Sequence, residues 1–220
     1  MLLPIRDTNP RCRLPVTTYG IILITGYFFI RQLIIGLQVS VWQNGVIPWE
    51  FTHLSRLAVR NRNAPLLTLI MSMVHHGGLL HFLGNMLYLW IFGNNVEYAL
   101  GHIRFLILYF LSGIAGMIAH IITNPGSTVP AIGASGAIAG ILGAYILLYP
   151  RARIRSILFL IIFFQIVELP AVIVVGLWAL LQVFDAFSLA GANMGVAVFA
   201  HLGGFVFGCA FIEFFQGRRL

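Results

Sequence analysis

Ser135 stands in the tetrapeptide Gly133-Ala134-Ser135-Gly136 at the start of a long apolar run, and His201 stands near the start of another. A hydroxyl beside an imidazole is a proton-transfer pair: the ring nitrogen takes the hydroxyl proton and leaves an oxygen nucleophile. His81 and Asn85 are four residues apart, so on a helix both project from one face. Both can donate hydrogen bonds, and with the backbone N–H of Ser135 they offer a seat for the oxyanion that attack on a carbonyl creates. Plainer readings exist for each residue. A serine among glycines lets helices pack closely, a lone histidine can bond a neighbouring backbone, and a His–Asn pair can clasp two helices together. Position favours chemistry: a serine at a helix mouth meets unpaired N–H groups and partial positive charge, and ionisable groups in an apolar span are costly to keep.

The composition says what surrounds these residues. Of 220 residues, 60% are hydrophobic and 9% charged, which is outside the range of soluble domains and puts most of the chain in a lipid bilayer. All 13 basic residues are arginines gathered in a few clusters, not along a continuous basic face, and nucleic acid is not expected as a partner. Cys12 and Cys209 match neither a metal site nor a disulfide framework, and no metal or other cofactor is expected. No carboxylate is well placed to complete a triad. Asp185 falls at the outer end of the fifth apolar segment, Glu97 and Glu213 fall towards the other side, and Glu168 beside Pro170 suggests a helix kink with a snorkelling carboxylate. A Ser–His dyad oriented by packing is the simpler expectation.

A helix needs about 20 apolar residues to span the hydrocarbon core, somewhat fewer if it stops short of one surface. Six segments meet or approach this: Thr18 to Val39, Leu79 to Val96, Arg104 to Ile122, Ser135 to Tyr149, Ile154 to Phe184 and Val198 to Phe215. The expected fold is an all-α, six-helix polytopic bundle over residues 18–216, with tails at 1–17 and 217–220. The tail before the first span lacks a short apolar core followed by a cleavage site, so that span is expected to remain as an anchor. Residues 40–73 carry Trp42, Trp49, Arg56, Arg60 and Arg62 and suit a long first loop lying among lipid headgroups.

Arginines collect on the cytoplasmic side. Arg6, Arg11 and Arg13, Arg104, Arg151, Arg153 and Arg155, and Arg218 and Arg219 all fall on one side of a six-span chain, which places both termini in the cytoplasm. His81 with Asn85, Ser135 and His201 then arrive at one depth in the outer half of the membrane. From Ser135 to Pro150 is about 15 residues, or roughly 22 Å of helix against a core of about 30 Å. An aqueous pocket open to the outside is implied, and the Gly- and Ala-rich stretch from Asp185 to Ala197 suits a mobile gate over it. Gly133, Gly136 and Gly140 on one segment and Gly204 and Gly208 on another suit close helix packing that would bring serine and histidine together.

With these residues in hand, the chain resembles the rhomboid intramembrane serine proteases from about Thr18 to Phe215. Gly133-Ala134-Ser135-Gly136 is similar to the family's GxSG motif, Ala200-His201-Leu202-Gly203-Gly204 with Gly208 to its AHxxGxxxG segment, and His81-Phe82-Leu83-Gly84-Asn85 to its HxxxN segment, with His76 as a structural histidine upstream. The resemblance implies Ser135 as nucleophile, His201 as general base, and His81 and Asn85 as oxyanion donors. It also implies single-pass transmembrane proteins as substrates, cut at a small residue near an easily unwound helix top. Two departures are visible. Some bacterial members carry a tyrosine four residues after the serine that stacks on the histidine, where this chain has Ala139, and many carry Trp-Arg in the first loop, where Trp49 is followed by Glu50.

A rhomboid-like pseudoprotease that binds membrane clients without cutting them is the alternative, and retention of both Ser135 and His201 speaks against it. A transporter is a third possibility, without internal repeat or charged path to support it. The expected setting is a prokaryotic plasma membrane.

Overall fold

The computed structural model describes residues 2–9, 14–53, 62–160, 163–187 and 198–216. Cys12, Arg56, Arg60, residues 188–197 of the gate expected over Asp185–Ala197 and the tail at 217–220 lie outside the described residues. The architecture is mostly helical, as the hydropathy pattern predicts, because a backbone in lipid must satisfy its own N–H and C=O groups.

Three described helices are long and apolar enough to cross a membrane: α1 (Val16–Ile35), α7 (His102–Thr123) and α10 (Val198–Gln216). Between α1 and the next long rod come α2 (Leu37–Asn44), α3 (Pro48–Thr52) and α4 (Pro65–Met71), the last followed by a 3-10 turn at Ser72–Val74. α5 (Leu79–Tyr88) passes through a π-helical turn at Leu89–Gly93 into α6 (Asn94–Leu100), and this rod meets the α4 segment at 78°. α8 (Ser135–Leu148) and α9 (Ala171–Phe187) are shorter apolar helices.

α8 has no polar face, and a helix apolar all round belongs inside a bundle. Gly136 to Tyr145 is buried without a break, between α7 and α10. Its Ile141 and Tyr145 are fully buried together with Phe92, Phe105, Leu108 and Tyr109 of the neighbouring segments, and the Phe92 and Tyr145 rings stand edge to face at 5.0 Å. The opposite faces are greasy and open: Leu23, Ile24, Tyr27, Ile30 and Ile34 of α1 are exposed, as side chains destined for lipid should be. The start of α1 is pinned from a distance. The Glu97 carboxylate accepts the backbone N–H groups of Thr17 and Thr18 at 2.8 and 2.7 Å and the Thr18 hydroxyl at 2.7 Å, satisfying donors that a helix N-terminus leaves orphaned.

The fifth apolar segment departs from expectation. A helix is predicted over Ile154–Phe184, but the chain forms a hairpin of β2 (Arg153–Leu160) and β3 (Phe163–Pro170), and helix begins only at Ala171. Leu2–Asp7, expected as part of a polar tail, is β1 and pairs antiparallel with β2, giving a sheet of order β1-β2-β3 with Leu2 opposite Leu158 and Arg155 opposite Glu168. Hydropathy does not distinguish the two outcomes, since Ile, Leu, Phe and Val suit strands as well as spans. The discriminating signal is the alternation at the start of β2, where Arg153 and Arg155 are exposed and Ile154 and Ser156 buried. Glu168 marks no helix kink: its carboxylate accepts from Arg155 Nε at 2.8 Å across the two strands. At the same end of the bundle the buried Asp7 carboxylate accepts from Tyr145 and Asn9, both at 3.0 Å, and from Asn95.

The first loop is anchored in spite of its Trp-Glu sequence. Arg62 donates to both carboxylate oxygens of Glu50 at 2.7–2.9 Å, to the Gly45 carbonyl at 2.8 Å and to the Trp42 carbonyl, so one buried guanidinium gathers α2, α3 and the chain entering α4.

Candidate active site

Ser135 is delivered by an extended segment held on both sides. Val46 and Ala131 exchange two backbone hydrogen bonds of 2.8 Å, Trp49 N–H donates to the Ser127 carbonyl at 3.0 Å, and Gly133 N–H donates to the Ser72 carbonyl at 2.9 Å. Gly133 has φ +123°, a conformation that side chains rarely adopt, and its turn lets the chain enter α8 with Ser135 as first residue. The first N–H groups of α8 therefore open onto the space beside the serine hydroxyl, and no side chain caps them.

His201 lies in the first turn of α10. Its approach to Ser135 is set one helical turn away, where Gly204 meets the carbonyl of Gly136 and Gly208 that of Gly140, with no room for a Cβ on either α10 glycine. Backbones this close bring His201 Nε2 to 2.8 Å from Ser135 Oγ. His201 Nδ1 lies 2.6 Å from Gln182 Oε1 on α9, and the Trp178 ring of the same helix lies 6.1 Å from the imidazole at 41°. Ala139 is buried and supplies no stacking ring, so the aromatic ring beside the histidine comes from α9 and not from α8.

His81 and Asn85 share one face of α5, turned to Gly133. The Gly77 N–H approaches His81 Nδ1 at 3.4 Å, which leaves Nε2 as the nitrogen that carries the proton. A Cβ placed on Gly133 would lie 2.7 Å from His81 Nε2 and 3.6 Å from Asn85 Nδ2, so this glycine is the space onto which both donors converge. Asn85 is buried, and its Nδ2 has no partner among the described residues. His76 is a wedge behind them. Its ring stands edge-on to His81 at 5.1 Å, and its backbone is clamped by Gln32 of α1, which accepts from His76 N–H at 2.9 Å and donates to its carbonyl at 3.1 Å.

These groups line one cavity of about 440 Å³. Ser135, His201, His81 and Asn85 form its polar edge, while Tyr88, Ile138, Leu142 and Trp178 form apolar walls, and both Ser135 and His201 are only partly buried. The structure thus brings together the four residues singled out by type and spacing, on three helices. Such a site can generate an alkoxide, hold a tetrahedral oxyanion and seat an apolar side chain. No cluster of three or more metal-binding side chains occurs among the described residues.

Sequence reasoning passed over Gln182 and Trp178. The available signal was a single amide in the apolar run Ala171–Phe187, one helical turn after a tryptophan, because a polar side chain in a span is a functional candidate.

The rhomboid domain family model matches residues 63–217, a region that contains every residue of the cavity. The chain is 29% identical over 184 residues to mitochondrial rhomboid protein 1 of Saccharomyces cerevisiae, covering 80% of this chain and 50% of that one. It is 29% identical over 153 residues to presenilin-associated rhomboid-like protein A, mitochondrial, of Danio rerio, covering 67% and 37%, and 35% identical over 118 residues to the putative rhomboid protease YdcA of Bacillus subtilis, covering 51% and 59%. The chain spans half or less of the length of the first two relatives. Relatives named as mitochondrial stand beside bacterial ones, so the likeness does not single out a prokaryotic plasma membrane.

Proposed function

The chain belongs to the rhomboid family of membrane proteins, and on that premise we propose that it is an intramembrane serine endopeptidase acting through a Ser135–His201 dyad. The supporting observation is the 2.8 Å contact between His201 Nε2 and Ser135 Oγ inside a cavity that also presents the unpaired Asn85 Nδ2 donor. His201 takes the hydroxyl proton as Ser135 attacks the peptide carbonyl. The oxyanion is received by the Ser135 N–H, His81 Nε2–H and Asn85 Nδ2–H. The imidazolium then gives its proton to the departing amine, and water, activated by the same ring, releases the acyl group. None of these steps calls on a metal or cofactor.

The substrates on this reading are single-pass transmembrane proteins with a small residue at the cut. A helical peptide bond is shielded by its own hydrogen bonds and must be drawn out to enter the cavity, which favours helix tops that unwind easily. The arginine-rich sheet end, with Arg6, Arg151, Arg153 and Arg155, faces the cytoplasm of a prokaryotic cell.

Purified protein in detergent and in liposomes is expected to cut a model transmembrane substrate and to take a fluorophosphonate label that disappears in Ser135→Ala. Wild-type protein that does neither, while still holding the substrate, would make it a client-binding pseudoprotease instead.

A further inference from the structure

We propose that Gln182 is a positioning residue for the dyad: its side-chain oxygen accepts the Nδ1–H of His201 and so holds the imidazole in the tautomer whose Nε2 is free to take the Ser135 proton. The proposal rests on the hydrolytic reading of this pocket and concerns how its base is held.

A neutral imidazole has one N–H and one bare nitrogen. For Ser135 to become a nucleophile its hydroxyl must donate to a bare Nε2, and the ring proton must then sit on Nδ1. In lipid an N–H without an acceptor is expensive, so the competent tautomer needs an acceptor at Nδ1. Gln182 Oε1, at 2.6 Å, is that acceptor. The same amide turned about its last bond would present its NH2 to Nδ1, move the proton to Nε2 and disable the base. The orientation of one side chain therefore decides whether the dyad works.

Two further observations fit. Trp178 lies four residues before Gln182 on the same face of α9, and its ring flanks the imidazole at 6.1 Å, so one helix both directs the ring and limits its swing. A neutral amide also suits the place better than the carboxylate of soluble triads, because it orients the ring without burying a charge in the bilayer. Ala139 leaves the ring unstacked from α8, and α9 takes over the task.

The test uses the full chain in micelles, labelled with 15N at histidine, with the His201 signals assigned by their loss in His201→Gln. The imidazole nitrogens of wild-type His201 are expected to show a proton on Nδ1, and those of Gln182→Leu to lose that preference. In Gln182→Leu, kcat for a model transmembrane substrate should fall about 10- to 50-fold with KM held, as expected for one lost orienting hydrogen bond. Gln182→Glu keeps an acceptor oxygen and should restore the tautomer and most of the rate. Gln182→Met, of similar length without a strong acceptor, should behave as the leucine variant does and serves where that variant folds poorly. A wild-type proton on Nε2, an unchanged kcat in both apolar variants, or a glutamate no better than leucine would overturn the proposal. If the wild type cuts nothing but the tautomer shifts as expected, the hydrolytic reading falls and the positioning role stands. If it cuts and the apolar variants cut equally well, the reverse holds.

Discussion

Gly204 of α10 lies against the backbone carbonyl of Gly136 in α8, with no space between them for even a methyl group. The obstacle is backbone, not a flexible side chain, so a larger residue must push the helices apart. Gly204→Ala is expected to cost about 1–3 kcal/mol of stability through overpacking and to abolish fluorophosphonate labelling, because His201 one turn away moves with its helix. Gly20→Ala is the control: nothing lies within 4 Å of that position, and its melting temperature should be unchanged or slightly raised. Thermal unfolding in detergent and labelling of the same samples check both.

His81→Ala and Asn85→Ala each remove one donor aimed at the space beside Gly133. Each is expected to lower kcat about 100- to 1,000-fold, the effect of losing a single oxyanion donor, with little change in KM. Steady-state cleavage of a model substrate measures this, and an equal loss in KM would point to substrate binding in place of oxyanion stabilisation.

Glu50 and Arg62 are a buried ion pair, with side-chain exposures of 0% and 2%. Removing one partner leaves the other charge buried, so Glu50→Gln or Arg62→Met should cost about 3–5 kcal/mol. The first loop holds the strand leading to Ser135 through the Val46–Ala131 pairing, and activity should fall together with stability. The double variant should recover part of the loss, since the charges vanish while the Trp42 and Gly45 carbonyls still lack their donor. Unfolding midpoints of the three variants form the cycle that tests this.

Arg155 and Glu168 make the contrasting case. Their side chains are 52% and 38% exposed, and the pair bridges β2 and β3 at the surface. Arg155→Ala or Glu168→Ala should change stability by no more than about 0.5 kcal/mol. A larger loss would show that the hairpin depends on this pair.

The cavity was legible because its members are conspicuous by type: a serine, two histidines and an asparagine at the mouths of apolar runs have few structural reasons to gather. Helix ends were legible where the chain changes from apolar to polar or glycine-rich, so that Ser135–Tyr149 was expected and Ser135–Leu148 is found. The hairpin was not, because Ile157, Phe164 and Ile166 are as apolar as a span, and only the alternation around Arg153 distinguishes strand from helix. β1 was illegible for a different reason: Leu2–Asp7 becomes a strand only against a partner about 150 residues away. Gln182 was visible as an oddity, but its meaning depends on which ring it faces, and that is a tertiary fact.

The seam between Leu2–Asp7 and Ile154–Leu158 joins two segments about 150 residues apart in the chain. During synthesis β1 has nothing to zip onto until β2 is made, and its carboxylate at Asp7 waits for Tyr145 to arrive. The seam can close only after α8 has been laid down, so this end of the bundle is fastened once the helix that begins at Ser135 is already in place.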